Sequence, residues 1–142
     1  MPLWIFRQLS LDGDEDDEED HGAITSWLKG IGGKKGTKVR GKFKGRLSGM
    51  ETTHQAQWPP LWTTKLKGYD EVYELRFEVW NVQYRPLFFF GLHRAEITFV
   101  LSALEVGDEF DPKDAPDRAA QLIKDIRDGK LDTEDLDYLA LA

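Results

Sequence analysis

The chain has 142 residues, no cysteine and a net charge of −7. That length suits one domain burying about 68% of its unfolded surface, and the missing cysteines exclude disulfides, thiolate metal centres and a cysteine nucleophile. No run approaches the ~18 apolar residues of a membrane span, and the start lacks the basic-then-apolar pattern of a secretion signal, so a cytoplasmic protein is expected.

The charge is strongly segregated. Residues 1–21 hold eight acids and one base, 22–50 hold eight bases and no acid, and 105–142 hold twelve acids and five bases. A basic block between acidic ones points to a polyanionic partner or to pairing within the protein.

In chain order, "LWIFRQLSL" (3–11) reads as a first strand of imperfect period two. "DGDEDDEED" (12–20) is too dense in like charge to pack and reads as a mobile loop; its carboxylates lack the calcium-loop pattern. "AITSWLKGI" (23–31) places Ile24, Trp27, Leu28 and Ile31 at helical spacing. "KKGTKVRGKFKGRLSGM" (34–50) fits two patterns. As a helix it has one apolar stripe, Val39, Phe43, Leu47 and Met50, and one basic stripe, Lys34, Lys38, Lys42 and Arg46. As a strand it alternates apolar or glycine with basic residues, and its interior glycines, each costing a helix about 1 kcal/mol, favour that reading.

"QWPPLWTTKLKGYDE" (57–71) is a loop reaching a turn at Gly68. "VYELRFEVW" sets Tyr73, Leu75, Phe77 and Val79 on one face. "QYRPLFFF" and "AEITFVLSAL" complete a three-stranded antiparallel meander. A helix follows, with Pro116 and Asp117 in its first turn, a stripe of Ala119, Leu122, Ile123 and Ile126, and a stop at Gly129. The acidic residues 131–142 read as a frayed tail or a short docking helix, placed to shield the basic stripe. The fold class is α+β, a small antiparallel sheet with helices before and after it, in one domain over 1–130.

The sequence of signals "W…P" at Trp58 and Pro60, "KLKG" (65–68), "VYELRF", "YRPLFFF" and a helix containing "AA" resembles the RelE/ParE superfamily of type II toxins, most closely the phage-derived HigB-like branch. The likeness covers roughly residues 22 to 128. It implies an N-terminal helical hairpin over 23–31 and 34–50, which overrides the strand reading. It also implies a toxin neutralised by a cognate antitoxin, expected to be of helix-turn-helix type. RelE and HigB members cleave mRNA on the ribosome without metal, whereas ParE members poison DNA gyrase; the expected function is the former, with a non-catalytic relative as the alternative. No cofactor and no metal site is expected.

Arg76 and Arg85 match the two arginines that the family places on its central strands. On the open face of a half-covered sheet they are solvated and able to clamp phosphate through a planar fork. The competing reading pairs them across strands with Glu74, Glu78 or Glu96. Tyr84 is a candidate proton donor or stacking group, with core packing as its alternative. Where the family carries bases after the last strand this chain has "SALEVGDEFDP", in which Glu105 is a candidate general base or part of a solvated acidic loop. Lys34, Lys38, Lys42, Arg46, Lys65 and Lys67 are candidate RNA contacts. His93 lies in a turn, and His21 and His54 have no partners at ligand spacing.

Overall fold

The computed structural model describes residues 2–11 and 22–141; the acidic run 12–20 and His21 lie outside them. The chain is α+β, with three helices and two largely antiparallel sheets. Strand β1 (Ile5–Leu9) is followed by helices α1 (Ala23–Lys29) and α2 (Gly33–Glu51) and by strands β2 (Thr63–Lys65), β3 (Tyr73–Leu75), β4 (Phe77–Val79), β5 (Val82–Tyr84), β6 (Leu87–Phe90), β7 (Glu96–Leu101), β8 (Leu104–Val106) and β9 (Glu109–Asp111). Helix α3 (Ala115–Arg127) and strand β10 (Thr133–Asp135) complete the order. Among the described residues no helix is long and apolar enough to cross a membrane.

The single antiparallel sheet expected from the sequence is in fact two. The larger has the order β10-β1-β7-β6-β3-β2, with β1 and β7 parallel, and the smaller runs β4-β5-β8-β9. The apparent strand 72–80 is divided at Arg76, whose backbone N–H bonds the carbonyl of Trp62 at 2.7 Å. On the returning segment, Arg85 and Pro86 separate β5 from β6. Both arginines therefore stand at the joint where the meander passes from one sheet to the other.

The basic block is helical. Val39, Phe43, Leu47 and Met50 all have zero exposure, and burying side chains of this size stabilises by about 1.5–3 kcal/mol each. That outweighs the roughly 1 kcal/mol for each of the interior glycines. One glycine is required by packing: a β-carbon at Gly36 would lie 1.9 Å from the carbonyl oxygen of Ile31, so only glycine lets α2 turn so closely behind α1.

The large sheet is covered on both faces. Phe88 packs with Phe43 and Phe99 in the core beneath α1 and α2. Its neighbour Phe89 joins Ala119, Ile123 and Ile126 of α3 in a second core, as alternation across a strand requires. The large sheet is thus covered on both faces, and the arginines stand at its joint with the small sheet instead of on an open face.

The C-terminal residues form an edge strand and a short 3-10 turn (Tyr138–Ala140). Strand β10 pairs with β1, and Leu136, Tyr138 and Leu141 enter the main core. The Tyr138 hydroxyl donates to Glu51, and Lys44 Nζ donates to the Leu141 carbonyl at 2.7 Å. Instead of lying over the basic stripe, the segment's apolar side chains belong to the core, so its removal would damage the fold. Leu136→Ala is expected to lower unfolding free energy by about 2–5 kcal/mol in chemical denaturation, while Leu139→Ala, at an exposed position, stays within about 0.5 kcal/mol.

Candidate nucleic-acid interface

Helix α2 divides its cations by the spacing of its buried stripe. Arg40 bonds the carbonyls of Leu28 and Ile31 at 3.0 and 3.1 Å, closing the α1–α2 turn. Lys44 holds the C-terminal segment. Arg46 donates from Nε to the Arg76 carbonyl at 3.2 Å and lies 4.5 Å from the centre of the Trp62 ring, a cation–π contact. Lys34, Lys38 and Lys42 remain exposed, and no acid pairs with them among the described residues.

Arg85 is 3% exposed, which corrects the expectation that it faces open solvent. Its guanidinium donates to the Tyr84 carbonyl at 2.8 Å, to Gln83 Oε1 at 3.0 Å, to Glu105 Oε2 at 2.8 Å and, at 3.5 Å, to the Phe77 carbonyl. Its Nε lies 4.0 Å from Glu74 Oε2 and makes no hydrogen bond. The reason is topological. Arg85 directly follows β5 at the joint, and its guanidinium bonds the Tyr84 and Phe77 carbonyls at the end of the β4–β5 ladder. Arg76 is different: its side chain is 35% exposed and meets Glu74 at 3.6 Å.

Glu74, 7% exposed, sits between the two arginines. Burial pushes its carboxyl above the ordinary value of 4.5; Arg76 and Arg85 pull it down, and Glu105 adds to the rise. Desolvation outweighs the attraction of two cations here.

Two hollows meet at Arg46. A small one of about 180 Å³ is lined by Arg46, Arg76, Arg85, Gln83, Glu78 and the chain at Leu61 and Phe77. A groove of about 630 Å³ runs along α2 between Lys38, Gly41, Lys42, Gly45 and Arg46 on one side and Glu78, Val79 and Trp80 on the other. The two share Arg46 and Glu78 in their linings.

Other expected site residues fall elsewhere. Tyr84 is 3% exposed, stacked on Phe77 at 5.3 Å and near Trp27 at 6.0 Å, so its ring serves the core. Glu105 lies in the β8–β9 hairpin and is engaged by Arg85. Lys65 and Lys67 are exposed at the far edge of the large sheet, on β2 and the turn after it, and line neither hollow. His93 is exposed in the β6–β7 turn, and His54 is exposed after α2. Trp80, Gln83 and the glycines 41 and 45 were not singled out in the sequence. The available signals were a "WN" pair between alternating strands and glycines four apart among lysines.

Comparison with known proteins adds no relative: no family model, curated protein or solved structure matches this chain.

Because the folded Glu74 carboxyl keeps its proton to higher pH than the unfolded one, it favours folding while protonated. That contribution is lost as pH rises from 4.5 through the raised folded value. The stability of the wild type relative to Glu74→Gln should fall across this window in denaturation curves taken at successive pH values. A difference independent of pH would contradict the assignment.

Proposed function

We propose that this chain is a toxin of the RelE/ParE superfamily, of the phage-derived HigB-like branch, that engages mRNA on the ribosome and cleaves it without a metal. The observation that carries the reading is the convergence of Arg46, Arg76 and Arg85 on one hollow of about 180 Å³ opening beside the lysine-edged groove. A helical hairpin and a later helix are both expected for that family, while the division into two sheets and the strand β10 after α3 depart from its arrangement.

In this reading Arg76, the half-exposed arginine, grips the scissile phosphate through its fork, with Arg46 beside it. Arg85 adds positive potential from behind while holding the joint. Cations fixed around a phosphate stabilise the charge that grows on it in the transition state. Glu105, with a side chain 32% exposed, takes the proton from the 2′-hydroxyl as its oxygen attacks phosphorus; the P–O5′ bond breaks and water protonates the leaving 5′-oxygen. The exposed lysines of α2 follow the RNA backbone. The partners are a helix-turn-helix antitoxin and the ribosome.

A second reading is favoured by a specific observation: Tyr84 is buried and Glu105 is held by Arg85, so the hollow has no free proton donor. The chain is then a non-catalytic relative, a gyrase poison or a protein-binding module.

Induced expression separates these. The first reading expects growth arrest with mRNA cleaved only when ribosomes are present, and a loss of about 10²-fold in cleavage rate for Arg76→Ala, with folding retained. Growth arrest without mRNA cleavage selects the second reading. A harmless wild type, or an Arg76→Ala variant as active as the wild type, removes the nuclease.

A further inference from the structure

Two features of the α2 groove run against what stability alone would select. Gly41 and Gly45 lie one turn apart on the exposed side of the helix, and a β-carbon at either would meet nothing within 4 Å. The fold has no need of glycine there, and each weakens the helix relative to alanine. Across the groove, the two-residue turn between β4 and β5 holds Trp80 at φ 49° and Asn81 at φ 65°. This is the left-handed conformation of a type I′ turn, which favours asparagine and glycine and is unfavourable for a bulky aromatic. Trp80 is nevertheless 55% exposed and, among the described residues, stacks on no other ring. Strained positions of this sort cluster at functional sites, and here both unfavourable choices line the same channel.

We propose that this groove is a channel for single-stranded RNA in which Trp80 stacks on a base and the glycine floor admits the sugar–phosphate backbone to the lysines. The proposal rests on the RNA reading above and adds the recognition element to it. Lys34, Lys38 and Lys42 recur every four residues, about 6 Å along the helix, a step comparable with that between successive phosphates of an extended strand. Two lysines and Arg46 face one acid, Glu78, across the channel, so the charge suits a polyanion. A projecting aromatic opposite a cationic edge is the arrangement used for single strands: cations hold the backbone, and the ring takes any base by its face. An acidic peptide would use the lysines yet leave both the glycine floor and the exposed indole without a role.

The test is fluorescence anisotropy of a labelled oligouridine of about twelve nucleotides at low, fixed salt. Trp80→Ala is expected to weaken binding by roughly 5- to 150-fold, the range for one lost base stack, and Trp80→Phe to keep most of the affinity. Gly41→Leu/Gly45→Leu fills the floor with strong helix formers. It should melt at or above the wild-type temperature and lose affinity by a comparable factor, so a loss there is not a failure to fold. Equal affinity for all these proteins overturns the channel, as does a wild type that binds a Glu/Asp-rich peptide in place of the RNA. If the groove variants bind RNA normally while Arg76→Ala still abolishes ribosome-dependent cleavage, the toxin reading stands and the channel falls. Lost RNA affinity in the variants of a protein that neither arrests growth nor cuts mRNA gives the opposite result.

Discussion

The Arg85 guanidinium, enclosed at the junction of two sheets, is the interaction on which the arrangement of the site depends. Taking a cation out of water is unfavourable by several kcal/mol unless its donors are satisfied and its charge is matched. Here one side chain bonds backbone carbonyls, Gln83 and Glu105, with Glu74 close by. These partners come from β3, β4, β5 and β8. The cluster therefore ties the returning strand to both sheets at the joint between them. It adds to the packing of Phe77, Val79 and Tyr84, which also hold the small sheet against the main core.

Three arginines share the neighbouring hollow in different conditions. Arg85 is enclosed and engaged in the fold at both terminal guanidinium nitrogens, though not at Nε. Arg46 is pinned by the Arg76 carbonyl and the Trp62 ring. Arg76 is the one with its head group turned partly to solvent. In the proposed function such a division would give a phosphate site its rigidity: the buried member fixes the geometry and the exposed member makes contact, so little ordering remains when a ligand arrives. The same division explains why Glu74 is confined between two cations and still holds its proton more tightly than an exposed glutamate. Its surroundings are too poorly hydrated for attraction alone to keep it ionised at low pH.

Much of the framework was legible from residue order. The stripe Ala119, Ile123 and Ile126 identified α3, and the alternation of Leu75, Phe77 and Val79 placed all three in the core. Helix α2 was ambiguous for a simple reason. The step of four from Val39 to Phe43 to Leu47 satisfies a period of two as well as one of 3.6, and only the depth of burial separates them. The division at Arg76 was hidden because alternation continues unbroken through it. The cover on both faces was hidden too, since "LFFF" does not say that Phe88 and Phe89 meet different helices. Strand β10, "TED", carries no strand signal in itself; pairing with β1 makes it one. At the site, the basic stripe of α2 could be read directly, while the enclosure of Arg85 and Tyr84 depended on a joint between sheets that no local pattern records.

The most direct measurement is NMR of the arginine side-chain N–H groups, alone and with a short single-stranded RNA. The account predicts that the Arg85 signals are protected from exchange with water and persist when those of exposed Arg94 have vanished, while the Arg76 signals shift as RNA is added. Arg85 exchanging as fast as Arg94, or Arg76 unmoved by saturating RNA, would contradict it.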